Sequence, residues 1–259
     1  MEKRNTIADE AVIFEFIKSI ERGPLKTLKN YPEELPEEND TREKWNCEEN
    51  PGIYSYAVEQ AWLDMCRTVQ NISQYQAAEL KKAKEKIADS IKNYFSGQPS
   101  CREKYDEWFI DLCNSVPSGT KLTIGQKQKI INMAFKYLYC CPSLRKQKAK
   151  HFDSCHMPLD SYTLAWYMKE CKPELKEYHK EAWSKIDSID AYCEIVKKIR
   201  DKVDNSQTVL QSEFSIWQAE KDKELIRNAK RISKSLKASD SLKKELERFI
   251  RELETAEKN

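Results

Sequence analysis

Five glycines in 259 residues leave this chain few places to turn tightly. That scarcity argues against a strand-and-turn architecture, which needs glycine at its hairpins. Charged residues make up 34% of the chain and hydrophobic ones 39%, the balance of long helices that bury one stripe and solvate the rest. Apolar residues recur at helical spacing: Val12, Ile13, Phe16, Ile17 and Ile20; Tyr56, Val58, Ala61, Trp62, Met65 and Val69; Leu80, Ala83, Ile87, Ile91 and Phe95. The sequence has no alternating strand pattern of useful length and no internal repeat. The expected fold class is all-α, a multi-helix globular protein, and 259 residues can bury a sizeable core.

Breakers divide the chain. Gly23-Pro24 ends the first periodic run, and residues 30–52 read as an acidic loop that Trp45 anchors. Gly97-Gln98-Pro99 and Val116-Pro117-Ser118-Gly119 bracket a short helix carrying Tyr105, Trp108, Phe109 and Leu112. A further helix is expected over 123–140, stopped by Pro142, and then a loop bearing His and Cys. Asp160 stands at a helix N-cap position, and helices are expected over about 173–203, with a break near Ile186, 208–236 and 239–256. The organisation expected is a single helical unit over 1–259. It comprises an N-terminal portion (1–97), a basic core (101–171) and C-terminal helices (172–259).

No stretch approaches the roughly 20 apolar residues of a membrane span, and the first residues lack a secretion signal. The expectation is a cytoplasmic protein with no membrane partner. Nine cysteines without a C-x-x-C pair point to reduced, buried thiols rather than redox or iron–sulfur chemistry. Cys140, Cys141, His151, Cys155 and His156 fall within 17 residues, but adjacent Cys-Cys and Cys-His pairs match no common zinc-finger spacing. Neither metal nor cofactor is expected.

Charge supplies the pointer to function. Between Asp111 and Asp153 the chain carries Lys121, Lys127, Lys129, Lys136, Arg145, Lys146, Lys148 and Lys150 and no acidic residue. The rest carries 37 basic against 43 acidic side chains. Positive charge gathered into one segment of a near-neutral chain implies an anionic partner, here nucleic acid and DNA first. On a helical wheel Lys129, Asn132, Lys136 and Gly125 fall within about 60° of one another, and apolar residues fill most of the circle. So apolar a helix is largely buried, and its polar stripe must face a cleft, a partner or an ion pair. Two readings stay open: a nucleic-acid or phosphate cleft, or lysines paired with carboxylates from another helix.

The run Gln128-Lys129-Ile130-Ile131-Asn132-Met133-Ala134-Phe135-Lys136-Tyr137, followed by His156-Met157-Pro158-Leu159-Asp160-Ser161, resembles the helix-hairpin-helix DNA glycosylases, in particular the archaeal 8-oxoguanine type. The resemblance implies a helix-hairpin-helix core with a central basic cleft and base-excision activity. Lys129 would be the nucleophile and Asp160 its electrostatic partner or proton shuttle, while Asn132 and Lys136 would help line the site. Lys121, Gly125, Lys127, Arg145, Lys146, Lys148 and Lys150 are the further nucleic-acid candidates. Where these enzymes carry Leu-Pro-Gly-x-Gly, this chain has Ser118-Gly119-Thr120-Lys121-Leu122-Thr123-Ile124-Gly125. The stretch Gly125 to Met133 is also similar to uncharacterised bacterial proteins with a G-x-x-Q-K-x-x-N-M pattern, which implies no known activity.

Two other functions fit the sequence. One is a non-catalytic helical defence or regulatory protein whose stripe lysines only form ion pairs. The other is a ribonuclease of the HEPN type, from the R-x5-H spacing of Arg145 and His151.

Overall fold

The computed structural model describes residues 52–68, 77–171, 182–204, 206–235 and 240–256. The expected first helix and acidic loop, with Trp45, lie outside these residues. The described residues are all-helical and contain no strand. In chain order the helices are α1 (Ile53–Thr68), α2 (Ala77–Ser96), α3 (Arg102–Ser115), α4 (Ile124–Cys140) and α5 (Pro142–Gln147). They continue with α6 (Ser161–Glu170), α7 (Ile189–Lys202), α8 (Val209–Ser235) and α9 (Asp240–Ala256). Short 3-10 turns at Ser118–Thr120, Ala149–His151 and Trp183–Lys185 join them. No helix among the described residues is long and apolar enough to cross a membrane.

The helix α4 is the axis of the molecule. It packs against α1, α3, α5, α7 and the Trp183–Lys185 turn, while α8 lies across α6 and pairs with α9. Its start is fixed by a capping box: Thr123 Oγ1 accepts the Gln126 N–H at 3.1 Å, and Gln126 Oε1 accepts the Thr123 N–H at 3.0 Å. Gly125 lets the helix approach the Trp183–Lys185 turn closely. A β-carbon there would lie 1.9 Å from the Trp183 carbonyl oxygen, and the Gly125 N–H donates to Ile186 O at 2.7 Å. Pro142 ends α4 but also opens α5 from its first position, where its missing N–H costs nothing.

Aromatic rings fill the space between α2, α3 and α4. Tyr94 alone meets Phe95, Tyr105, Trp108, Phe135 and His151 at centroid distances of 4.9–5.7 Å. This cluster and the apolar face of α1 pack against α4, and its polar stripe turns to α6, α7 and α8.

Candidate functional site

Lys129 lies in the second turn of α4, and Asp160 is the N-cap of α6. The Asp160 carboxylate is divided between two tasks. Oδ1 accepts the Tyr162 and Thr163 backbone N–H groups, both at 3.0 Å, and Thr163 Oγ1 returns the favour by accepting the Asp160 N–H at 2.9 Å. Oδ2 is left for Lys129 Nζ, which donates to it at 2.9 Å. Lys129 is 5% exposed and Asp160 8%. Burial works to raise the Asp160 carboxyl, but the Lys129 ammonium and the Thr163 N–H outweigh it and hold the acid below the usual carboxylate range.

Two turns along α4, Lys136 forms a second ion pair, 2.6 Å from Glu213 Oε2 on α8. It lies deeper: Lys136 is 1% exposed and Glu213 not at all. The ammonium is also enclosed by the faces of Phe214 and Trp217, 4.6 and 5.1 Å from the ring centroids. Burial pushes the Glu213 carboxyl up, against the opposing pull of Lys136. The half-buried rings of Tyr162 and Trp217 meet edge to face at 5.6 Å beside the two pairs.

Between the lysines, Asn132 and Gln128 fasten the turn that carries Asp160. Gln128 Nε2 donates to Leu159 O at 2.8 Å, and its Oε1 accepts the Leu159 N–H at 3.0 Å. Asn132 Nδ2 has three acceptors: Gln128 Oε1 at 3.0 Å, Met157 O at 3.2 Å and Tyr192 Oη at 2.9 Å. The network continues through Tyr192 Oη to His156 Nδ1 at 2.9 Å and from His156 Nε2 to Asp106 Oδ1 at 2.7 Å. It ends on Arg200, which holds both Asp106 oxygens at 2.6 and 2.8 Å.

The other candidates from the sequence divide by depth. Gly125 is buried against the Trp183–Lys185 turn, and Asn132 and Lys136 have internal partners, so all three act in packing and positioning within this conformation. The stripe expected to form a basic cleft is therefore neutralised by Asp160 and Glu213. Lys127, half-buried, donates to Cys113 O at 2.9 Å. Arg145 donates to Tyr139 O at 3.1 Å and lies over the Tyr139 ring. Lys121, Lys146 and Lys150 are exposed and Lys148 is half-buried. Lys121 adopts φ 54°, the left-handed region that a side chain rarely enters. His151 is a core residue: its ring stacks on Phe95 at 5.5 Å and its Nε2 meets Gly97 O at 3.0 Å.

Among the described residues no group of three or more His, Cys, Asp or Glu is placed to hold a metal ion. Cys155 donates instead to His151 O at 3.3 Å, and burial pushes the Cys140 thiol up to about 12. The partners that sequence reasoning missed are Glu213, Asp106, Tyr192 and Arg200. A weak signal existed for two of them, since Tyr192 and Arg200 are eight residues apart and so share one face of a helix. Comparison with protein-family models, with characterised proteins and with solved structures finds no match for this chain.

Proposed function

We propose that the protein binds DNA and excises a damaged base, with Lys129 as the nucleophile and Asp160 as its electrostatic and proton-transfer partner. The observation that carries this reading is the Lys129–Asp160 pair itself. Residues 31 positions apart meet at 2.9 Å, on a helix and a helix cap, with only a sliver of exposure. A nucleophilic amine and a carboxylate that can oppose charge developing on a sugar ring are the two groups the chemistry needs.

The ammonium first gives a proton to Asp160 or to water. Its lone pair then forms a bond to the sugar C1′, while the bond from C1′ to the base breaks and the base departs with that electron pair and takes up a proton. Ring opening moves a proton from nitrogen to the ring oxygen and leaves an iminium ion. The base must leave the stack to reach so enclosed a pair. The exposed Lys146 and Lys150, with Lys121, supply the charge that holds the phosphate backbone.

Sodium borohydride tests the reading by reducing the iminium to a stable protein–DNA adduct. The wild type is expected to give adducts on duplexes carrying an oxidised base or an abasic site, and Lys129→Gln none. Absence of adduct from the wild type across oxidised, alkylated and abasic duplexes contradicts the proposal. The closed Lys136–Glu213 pair favours a narrower second reading for that half of the stripe, a structural ion pair with no part in the chemistry.

A further inference from the structure

The turn that carries Asp160 hangs on a chain of buried polar groups whose hydrogens satisfy most of it in one arrangement. Gln128 fixes the start: its Oε1 accepts the Leu159 N–H, so its Nε2 must donate to Leu159 O. Asn132 must then present Nδ2 to Gln128 Oε1, and the same nitrogen faces Met157 O and Tyr192 Oη. Tyr192 Oη faces that donor nitrogen, so the acceptor for its own hydrogen is His156 Nδ1. That ring nitrogen has to carry a lone pair, which puts the imidazole hydrogen on Nε2, where it meets the Asp106 carboxylate that Arg200 grips.

We propose that His156 and Tyr192 are positioning residues, which through Asn132 and Gln128 hold the turn 157–160 so that Asp160 stays in register with Lys129. This rests on the role given above to Lys129 and Asp160. An apolar contact would have sufficed to pack α7 against α4. A polar chain that is buried from Gln128 to His156 does more, because each half-satisfied alternative is expensive and one arrangement satisfies most of it. Of its buried atoms, only Asn132 Oδ1 has no partner.

The chain ties the pair to one protonation state of His156. A proton on Nδ1 makes the imidazole a donor toward Tyr192, whose hydroxyl then faces two donors and has lost the acceptor for its own hydrogen. The charged and titratable groups around His156 are Asp106 and Tyr105 on α3 and Tyr192 and Arg200 on α7. Burial, opposed by Asp106, keeps the imidazole below its ordinary value, so the working form is neutral at pH 7.

The test uses Tyr192→Phe, which keeps the ring and removes only the hydroxyl. The variant is expected to form borohydride-trapped adduct roughly tenfold to hundredfold more slowly than wild type, with its DNA affinity unchanged. In the wild type, long-range proton–nitrogen spectra should show His156 with hydrogen on Nε2 at pH 7, and the adduct rate should fall as His156 is protonated. A hydrogen on Nδ1, or Tyr192→Phe reacting at the wild-type rate, overturns the relay. Should the wild type form no adduct, the nucleophile role fails and the relay is judged by the Lys129 Nζ resonance. A shift of that resonance in Tyr192→Phe supports the relay, and an unmoved resonance overturns it.

Discussion

At the scale of single residues, the buried charges govern what a substitution does. Lys136→Met strands a carboxylate with no exposure and should destabilise the protein by about 3–5 kcal/mol, read by urea denaturation. Adding Glu213→Leu removes the stranded charge, and the double variant should recover most of the loss. A double variant as unstable as the single one would mean that the pair contributes more than its own neutralisation. Acidification acts on three further groups. Folded His156, Asp160 and Asp106 all titrate below their unfolded values, so each stabilises fully above its unfolded value and loses that contribution as pH falls through the folded one. The loss should begin below about pH 6.5 with His156 and steepen below about pH 4 with the two acids. Glu213, held above its usual range by burial, runs the other way and offsets part of the change. Thermal midpoints between pH 7 and 3 check the sequence, and a midpoint that rises over that range contradicts it.

At the scale of elements, the position of α4 sets the site. Gly125→Ala would drive a methyl group into the Trp183 carbonyl, a backbone atom that cannot swing aside. A loss of about 1–3 kcal/mol or more is expected in urea denaturation, together with slower adduct formation, because Lys129 lies one turn farther along the displaced helix. Undiminished stability would show that the Trp183–Lys185 turn yields easily. The elements most legible in the sequence are those with strong periodicity and clear punctuation. The helix expected over 123–140 begins at Ile124 behind its Thr123 cap and ends at Cys140, and the two C-terminal helices match to within a residue at either end. Pro142 misled, because the residue that stops one helix is also well suited to start the next. The segment read as a loop therefore contains α5 and a 3-10 turn.

The same contrast holds for the site. Lys129 and Asp160 were legible as a pair through the residues around them, and Lys136 as a lysine needing either a cleft or a carboxylate. Its partner Glu213 was not, since a pairing across 77 positions leaves no trace in local spacing. The relay from Asn132 to Arg200 was hidden for the same reason, as each of its members alone looks like an ordinary polar residue on a helix.

At the scale of the whole molecule, the proposed binding and the proposed chemistry fall on different residues. Lys146 and Lys150 are exposed on and just beyond α5, and the chemistry proposed for Lys129 does not touch them. Replacing both with Gln should lower the slope of log affinity against log salt by about 2, with stability unchanged, in titrations of duplex DNA. An unchanged slope would move the phosphate track elsewhere on the surface. If one buried amine does the proposed chemistry, peptide mapping of the borohydride-trapped adduct by mass spectrometry will locate it. The sugar mass is expected on the peptide bearing Lys129 and on no other lysine. A trapped sugar on Lys136, on a surface lysine, or on none contradicts it.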